Sequence, residues 1–459
     1  MIIPEKLLEK YNSPVPRYTS YPPANYFTTE ITENQYIEVL KESNSGNPQN
    51  ISIYLHIPFC KKLCYYCGCN TSPLGTQVEM KNYVEALKKE ITMVAALIDK
   101  GRKVSQIHYG GGTPNAIPVE WIAELNELIY SLFTLTDHPE IAIECNPANL
   151  TFEYIDGLKK SGFNRFSLGI QDFDLEVLKT VNRDPSTIPV DEIIKRLKEG
   201  SDNITVNLDF IYGLPGQTVD SFLDSIRKAV TIRPDRLVTF SYAHVPWVKK
   251  AQKILDKKGL PDSELKMKMF SESHEFLMES GYLSIGLDHY VLESDELNHA
   301  VKTKSLHRNF QGYCTRQTTG QVYAFGVSAI SQLEKGYVQN TKSVKEYIET
   351  IGSGHLPIEK GYILTNGEVI VREVINQLMC NKQINWKELA DHLKISQAAI
   401  RNAIVYDDAE LRQFEADGIL QLDNEGLEMT EGGALFIRNV AASFDPLTKN
   451  NSKQFSKPV

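Results

Sequence analysis

Four of the seven cysteines in this 459-residue chain lie within ten positions, in the stretch HIPFCKKLCYYCGCN from His56 to Asn70. Cys60, Cys64 and Cys67 have the spacing C-x3-C-x2-C, and Cys69 follows after one further residue. Thiolates at this density bind metal or carry out redox chemistry. The number of cysteines that act as ligands decides the kind of site, because a fourth ligand would close a position that three leave open.

Clustered cysteines in this stretch could form a zinc site, a disulfide or an iron–sulfur cluster. A structural zinc site takes four ligands, usually as two close pairs, and the other cysteines provide no second pair because they are scattered at Cys145, Cys314 and Cys380. A disulfide is disfavoured, since an odd and clustered set of cysteines indicates a reducing compartment. A [4Fe–4S] cluster held by three thiolates leaves one iron free to bind a small molecule. We favour this cluster, with Cys69 outside the ligand set.

Strand-like and helical patterns alternate between residues 51 and 244. Apolar, β-branched runs predict six strands, at 51–59, 104–112, 140–147, 165–171, 204–215 and 236–244. Helical periodicity fills most of the intervals, at 77–99, 121–133, 151–162, 191–200 and 218–230. The alternation predicts an α/β fold with a parallel sheet and right-handed crossovers. We expect a partial parallel (β/α) barrel in preference to an open doubly wound sheet.

Polar or glycine-rich residues stand at the ends of all six predicted strands, where barrels of this kind carry their chemistry. In chain order they are the cysteine loop, Gly110 to Pro114, Glu144 with Asn146, Gln171 with Asp172, Asp209, and Tyr242 to His244. A single residue of this kind is more often a solvated loop residue. The placement of all of them at one end of the sheet favours an active site.

Composition and charge narrow the class of protein. The formal net charge is −9, which disfavours nucleic acid and anionic membrane surfaces as general partners. No run approaches eighteen apolar residues, and the N-terminus lacks the pattern of a signal peptide. We therefore expect a cytoplasmic protein without a membrane span.

The chain length predicts one large catalytic domain with smaller attachments. We predict an N-terminal arm at 1–50, a barrel domain at 51–360, a mostly helical, winged-helix-like C-terminal domain at 361–445 and a tail at 446–459. The arm either packs on the barrel surface or covers the substrate as a lid. Acidic residues crowd the C-terminal segment, which favours a structural cap over a DNA-binding domain.

The cysteine loop follows a predicted strand and has Tyr66 before its third cysteine, and in this it resembles the radical S-adenosylmethionine (SAM) superfamily. Members bind SAM at the open iron and reduce the cluster to form a 5′-deoxyadenosyl radical. Further blocks extend the resemblance over nearly the whole chain, to the oxygen-independent coproporphyrinogen III oxidase (coproporphyrinogen dehydrogenase) family. They are PRYTSYPP (16–23), HYGGGTPN (108–115), GFNRFSLGIQDF (162–173), DFIYGLPGQT (209–218), YAHVP (242–246), LHRNFQGY (306–313) and GVSAIS (326–331).

This resemblance implies the oxidative decarboxylation of two propionates of coproporphyrinogen III to vinyls, giving protoporphyrinogen IX in anaerobic heme biosynthesis. It also implies two bound SAM molecules. The first would contact Tyr54, Gly111, Glu144 and Ile330, and the second Tyr66, Gly112, Thr113, Gln171, Arg183, Asp209 and Ala243. The family also accepts Phe at position 66. An Arg183–Asp209 structural ion pair is the alternative to the second SAM site.

The resemblance further implies an electron donor such as a flavodoxin or ferredoxin, and we expect a monomer. Arg17 and Arg308 are candidate partners for the substrate carboxylates. Two other functions remain open: a heme-binding or heme-trafficking homologue without dehydrogenase activity, and a radical SAM methyltransferase acting on a tetrapyrrole. Cys69, the N-terminal arm and Arg183 favour the dehydrogenase over the heme-trafficking homologue.

Overall fold

The computed structural model describes residues 5–11, 13–46, 48–315, 320–449 and 455. Most of the predicted tail at 446–459 therefore lies outside the described residues. Within the described part, no helix combines the length and apolar composition needed to cross a lipid bilayer.

The strands fall into one large sheet and three small ones. In chain order they are β1 (Ile51–Ile57), β2 (Phe59–Cys60), β3 (Ser72–Pro73), β4 (Lys103–Gly111), β5 (Thr134–Cys145), β6 (Arg165–Gln171), β7 (Thr205–Tyr212), β8 (Arg236–Ser241), β9 (Leu283–Ile285), β10 (His289–Val291), β11 (Leu306–Asn309), β12 (Gly312–Thr315), β13 (Val322–Phe325), β14 (Ile330–Leu333), β15 (Gly336–Asn340), β16 (Ile358–Ile363), β17 (Gln383–Asn385), β18 (Leu420–Leu422) and β19 (Gly426–Met429).

The large sheet has twelve strands in the order β16, β15, β14, β13, β1, β4, β5, β6, β7, β8, β10 and β9. The seven from β13 to β8 are parallel to one another. Antiparallel strands extend the sheet at both edges. The six predicted strands are confirmed as β1 and β4 to β8, and the sheet does not close on itself. The parallel strand β13 and the antiparallel edges were not predicted.

Helices connect the successive parallel strands and cover the sheet. The connecting helices are Gln77–Ala95, Val119–Leu132, Phe152–Lys160, Leu175–Thr180, Val190–Lys198 and Val219–Ile232. Their apolar residues recur at helical spacing, as Ile122, Leu125 and Ile129 show, and these three are fully buried. Thr76 and Glu79 form a capping box that fixes the start of the first of these helices.

The remaining helices of the described residues lie outside these connections, and the counts that follow refer to those residues. Two precede β1 (Glu5–Tyr11 and Glu33–Ser43), and four lie between β8 and β16 (Lys253–Asp256, Ser263–Glu279, Glu296–Lys302 and Val344–Gly352). Six follow β16: Asn366–Asn381, Trp386–Leu393, Gln397–Ala403, Asp408–Ala416, Ile437–Ser443 and Pro446–Lys449. The last group packs with the small antiparallel sheet of β17, β19 and β18.

The N-terminal arm packs into the hydrophobic core of the C-terminal helices. Tyr11, Tyr18 and Tyr21 are buried there among residues of the helices that follow β16. The hydroxyls of Tyr18 and Tyr21 each donate a 3.0 Å hydrogen bond to a different oxygen of the Asp445 carboxylate. Two tyrosines and one carboxylate thus fasten the arm to the far end of the described chain.

Candidate active site

The cysteine loop lies at the carboxyl end of β1, between the paired short strands β2 and β3. Cys60 is buried, Cys64 and Cys67 are half-buried, and Cys69 is exposed. Burial raises the pKa of the Cys60 thiol to about 11; a hydrogen bond with Thr113 lowers it, and the charges of Cys67 and Cys64 raise it again. Three thiolates held this close need a compensating positive charge, which iron supplies.

The donor set therefore fits the cluster that the spacing predicts. Among the described residues, no three side chains of His, Cys, Asp or Glu converge on the position of a single metal ion. In a [4Fe–4S] cluster each of the cysteines binds a different iron.

Two glycines at the end of β4 let this strand approach the loop closely. Gly111 has a φ of +117°, and a Cβ there would lie 2.8 Å from the His56 ring. A Cβ on Gly112 would lie 2.4 Å from the carbonyl oxygen of Pro58 and 3.0 Å from Sγ of Cys60. Since real side chains do not tolerate such contacts, only glycine allows the strand and the loop to meet here.

The four residues predicted to contact the first SAM molecule line one cavity beside the loop. Its volume is about 230 Å³, and its walls include Tyr54, Gly111, Glu144, Ile330 and Cys69. Tyr54 and Gly111 belong to neighbouring parallel strands, Glu144 comes from β5, and Ile330 begins β14. The fold thus brings together residues that are up to 276 positions apart in the sequence.

Two histidines that were not predicted form hydrogen bonds with polar residues in the walls of this cavity. The Tyr54 hydroxyl lies 3.2 Å from Nδ1 of His56, whose Nε2 lies 2.9 Å from the carbonyl oxygen of Asn70. The carbonyl can only accept, so Nε2 of His56 donates and Nδ1 accepts. Nε2 of His108 lies 3.0 Å from Oε1 of Glu144. His56 precedes the cysteines and His108 precedes the glycines in the motifs quoted above. The position of His56 on β1 and of His108 on β4, two strands that end at the site, is the sequence signal that could have identified them.

Arg183 lies at the centre of the second predicted set. Its Nη1 donates to the hydroxyl of Tyr66 at 3.2 Å and contacts Sγ of Cys64 at 3.7 Å. Its Nη2 donates to the carbonyl oxygen of Gly169 and to Oδ1 of Asn146. The guanidinium therefore lies beside the cysteine loop, held by four different residues.

Asp209 lies on β7 directly opposite Gly169 of β6. Its carboxylate accepts hydrogen bonds from Ser167 at 2.5 Å and from Asn207 at 2.7 Å. Burial raises its pKa to about 6, against the lowering effect of these bonds. None of the hydrogen bonds and ion pairs of Asp209 in the described structure involves Arg183, so the alternative structural ion pair is wrong.

Two further residues predicted to contact the second SAM molecule are Gln171, which lies near Gly169, and Thr113, which lies near Cys60. Gln171 has a φ of +69°, and a Cβ on Gly169 would lie 2.8 Å from its amide nitrogen and 3.1 Å from Nη2 of Arg183. Glycine at position 169 thus allows Arg183 and Gln171 to lie directly against this part of β6. Thr113 lies 3.3 Å from Sγ of Cys60.

Gln252, which was not predicted, forms hydrogen bonds with Tyr66 and Ala243, two of the residues predicted to contact the second SAM molecule. Its amide nitrogen donates to the carbonyl oxygen of Tyr66 at 2.9 Å and to that of Ala243 at 3.4 Å. Gln252 is almost fully buried. It therefore holds the cysteine loop against the segment that follows β8.

A larger cavity of about 310 Å³ adjoins the first one. Cys69, Glu144 and Gln311 line both cavities, and Asp209 and His289 line only the larger one. A molecule in the larger cavity can therefore reach the ligand of the smaller one without leaving the protein.

Basic side chains gather beyond the larger cavity. Arg308 is buried, donates to the carbonyl oxygen of Arg17 at 3.2 Å and lies 5.0 Å above the ring of Tyr313, which lines the cavity. Its Nε has no hydrogen-bond partner in the described structure. Burial lowers the pKa of Arg17, and the charge of Arg308 lowers it further, while Asp288 raises it.

Lys266 extends this basic group. Burial lowers its pKa, and the charge of Arg17 lowers it further. Its Nζ lies 3.4 Å from the carbonyl oxygen of Tyr242, and the Arg17 side chain keeps an exposed surface. Desolvated yet accessible cations of this kind are ready to bind an anion.

The parallel sheet, the three-cysteine loop and the glycine strand define a radical SAM protein. Residues 54–229 match the model of the radical SAM superfamily, and residues 364–436 match that of the HemN C-terminal domain. The cofactors are therefore a [4Fe–4S] cluster and SAM.

Relatives that align with this chain over nearly their whole length identify its family. An oxygen-independent coproporphyrinogen III oxidase of Synechocystis is 39% identical and is covered over 97% of its length, with 99% of this chain aligned. Enzymes of the same name are 36% identical in Helicobacter pylori, with 98% of both chains aligned, and in Escherichia coli, with 99% of this chain and 98% of the relative aligned. The chain belongs to the oxygen-independent coproporphyrinogen III oxidase family.

A solved structure agrees with this assignment. The coproporphyrinogen III oxidase HemN of Escherichia coli, described as a radical SAM enzyme, matches with a TM-score of 0.88 and 35% identity. The match covers 97% of this chain and 100% of that structure. The predicted fold and the predicted enzyme class are thus confirmed.

Proposed function

We propose that this protein converts two propionate side chains of coproporphyrinogen III to vinyl groups, giving protoporphyrinogen IX. The cluster and SAM, when bound, supply the 5′-deoxyadenosyl radical that takes a hydrogen atom from the β-carbon of a propionate. The carboxyl group then leaves as CO₂, and one electron passes to an acceptor as the vinyl double bond forms. The relatives that carry this name align with the chain over nearly its whole length.

The observation that carries the proposal is the junction of the two cavities at Cys69, Glu144 and Gln311. The smaller cavity borders the cysteine loop and holds the residues expected around SAM. The larger cavity gives the substrate a place next to it. The reacting groups can therefore meet at this junction, next to the cysteine loop.

For the first SAM molecule, we assign recognition to Tyr54, Gly111, Glu144 and Ile330. Glu144 is suited to accept hydrogen bonds from hydroxyl or amino groups, and His108 fixes the orientation of its carboxylate. Gly111 exposes backbone where a side chain would collide with His56. Ile330 offers an apolar surface to the rest of the molecule.

For a second SAM molecule, support comes from the polar side chains gathered around Gly169. Arg183 offers a guanidinium to a carboxylate, and Asp209 offers a carboxylate to an amino group, with Gln171 between them. The remaining contacts would come from Tyr66, Gly112, Thr113 and Ala243. Arg183 does not pair with Asp209, so both charges remain available to a ligand that carries both signs.

For the substrate, the basic group supports the recognition of propionate carboxylates. Arg17 and Lys266 are accessible and form no ion pair with a described residue, although the nearby charge of Asp288 partly offsets that of Arg17. Nη1 of Arg308 donates a hydrogen bond to the carbonyl oxygen of Arg17 and so helps to fix the position of the Arg17 backbone. This arrangement suits an anionic molecule in the larger cavity.

Anaerobic incubation of the reconstituted enzyme with coproporphyrinogen III, SAM and a reductant tests the function. We expect protoporphyrinogen IX, CO₂ and 5′-deoxyadenosine, and no product from the Cys64→Ser variant. A methylated tetrapyrrole would instead identify a methyltransferase. Unchanged substrate with tightly bound heme would support the heme-trafficking alternative.

A further inference from the structure

A lysine-rich surface surrounds the outer side of the cysteine loop. Residues 60–70 and 245–259 together contain seven lysines and a single acidic residue, Asp256. The chain as a whole has a net charge of −9. The sign of the charge is therefore reversed locally, at the part of the surface nearest the predicted cluster.

Residues 245–256 lie directly against the cysteine loop. Nζ of Lys249 donates to the carbonyl oxygen of Cys69 at 2.6 Å, and Gln252 donates to that of Tyr66 at 2.9 Å. Leu255 is fully buried and packs in the same small apolar cluster as Tyr66. One layer of protein therefore separates the outer face of this segment from the loop.

Large apolar side chains are exposed among these lysines. Trp247 is 61% exposed and Val248 is 65% exposed, while Leu63 and Ile254 are each 40% exposed. An apolar patch with a charged rim is typical of a protein-binding surface, and exposed Trp is enriched at such surfaces.

Most of the lysine charges on this surface are free. Lys62 is paired with Asp184 at 2.7 Å, and Asp256 is paired with His244 at 2.6 Å. The other outer lysines form no ion pair with any described residue; they are Lys61, Lys250, Lys253, Lys257 and Lys258. The surface thus combines exposed apolar side chains with five unpaired lysines.

We propose that this lysine-rich surface docks an acidic protein that carries single electrons and reduces the cluster. The inference rests on the proposed function, because SAM cleavage requires a reduced cluster. In each encounter the carrier loses one electron and the cluster gains it, and no atom is transferred. Complexes of this kind have small interfaces that charge complementarity steers, and the basic, Trp-centred patch over the loop suits such an acidic partner.

The test compares two reductants on the reconstituted enzyme with SAM, using reduced flavodoxin as the acidic protein and dithionite as the small molecule. The variants are the triple replacement Lys250→Glu, Lys253→Glu and Lys257→Glu, and the single replacement Trp247→Ala. Lys228→Glu is the control, because Lys228 is exposed near the end of helix Val219–Ile232, which runs back from the carboxyl ends of the strands. Cluster reduction is followed by its visible absorption in stopped flow.

We expect the triple variant to lose about tenfold or more of the flavodoxin reduction rate at low salt, and its rate to depend less on salt. Trp247→Ala is expected to slow flavodoxin several-fold. Dithionite reduction should stay within about twofold of the unmodified enzyme in every variant, and Lys228→Glu should match the unmodified enzyme with both reductants.

Unchanged flavodoxin rates in the triple variant would overturn the proposal. So would an equal loss with both reductants in the triple and the Trp247 variants, which would show that the surface only supports the loop. Because cluster reduction is measured without a tetrapyrrole, failure of the docking proposal and failure of the proposed decarboxylation give different results.

Discussion

The Ser167 hydroxyl donates a 2.5 Å hydrogen bond to Oδ2 of Asp209. This bond, with that from Asn207, holds the carboxylate in the barrel while Arg183 bonds elsewhere. The carboxylate of Asp209 and the guanidinium of Arg183 thus lie on either side of Gly169 without forming an ion pair. This is the arrangement expected for a ligand with both an amino and a carboxylate group.

The first prediction concerns this pair. Asp209→Asn and Arg183→Ala should each lower bound SAM from two molecules per chain towards one, because each removes a charge that the second molecule needs. Iron content should stay at the level of the unmodified protein. Anaerobic equilibrium dialysis with labelled SAM measures the stoichiometry, and the exposed Asp224→Asn serves as the control. One SAM per chain in the unmodified protein would remove the second site.

The second prediction concerns Cys69, which lines both cavities. Cys69→Ser should retain the iron content and visible absorption of the cluster, since a fourth thiolate would occupy the iron that SAM needs. Ser at Cys60, Cys64 or Cys67 should abolish both signals. Cys314→Ser is the matched control outside the loop. Loss of the cluster in the Cys69 variant would contradict the three-ligand assignment.

The third prediction concerns the carboxylates of the substrate. Arg17→Ala and Lys266→Ala should each raise the KM for coproporphyrinogen III roughly 10- to 100-fold, because a charged hydrogen bond contributes about 1.5–3 kcal/mol. SAM binding should not change. Lys268→Ala, in the same helix as Lys266 but exposed and paired with Glu264, should leave KM unaltered. A fall in kcat at constant KM would argue against substrate binding by these residues.

The fourth prediction concerns Glu90, a buried carboxylate that accepts hydrogen bonds from the backbone N–H of Gly326 and from Asn340 and Tyr347. Burial raises its pKa from 4.5 to about 7. Between these pH values the unfolded chain releases this proton while the folded chain keeps it, so the contribution of Glu90 to stability falls as pH rises.

The Glu90→Gln variant isolates this effect, because glutamine cannot ionise. The Tm of the unmodified protein relative to this variant should fall as the pH rises from 4.5 to 7, corresponding to a change of about 3 kcal/mol, and then remain level. Scanning calorimetry of both proteins across this range measures the difference. A difference independent of pH would contradict the raised pKa.

The parallel part of the fold could be predicted because its signal is local. The six runs that became β1 and β4 to β8 are apolar, and helical patterns separate most of them. The strands β13 and β14 have four residues each, too few to show a period. The place of β13 in the sheet depends on pairing with β1, far away in the sequence, which no local pattern reveals. The place of β14 depends in turn on its pairing with β13.

The sequence indicates candidate residues for the site, but it does not show how their side chains are connected. Tyr66 and Arg183 are 117 positions apart, and only the return of the chain after β6 brings them into contact. Ser167 and Asn207 were missed, although alternation along β6 and β7 places them on the same face as Gly169 and Asp209. That period of two was a usable signal, whereas Gln252 lies in a 3-10 helix of three residues, Lys250–Gln252, which is too short to show a period.

The link from Tyr18 and Tyr21 to Asp445 has a consequence for biosynthesis. Asp445 is added to the growing chain 424 residues after Tyr21, which takes roughly 20–85 s at the usual rate of translation. During that time both tyrosines lack their partner, so the arm cannot reach its final position. Arg17, adjacent to Tyr18, is positioned only when the arm docks. The nascent barrel therefore folds first with an open substrate side, and that side is completed after nearly the whole chain has been made.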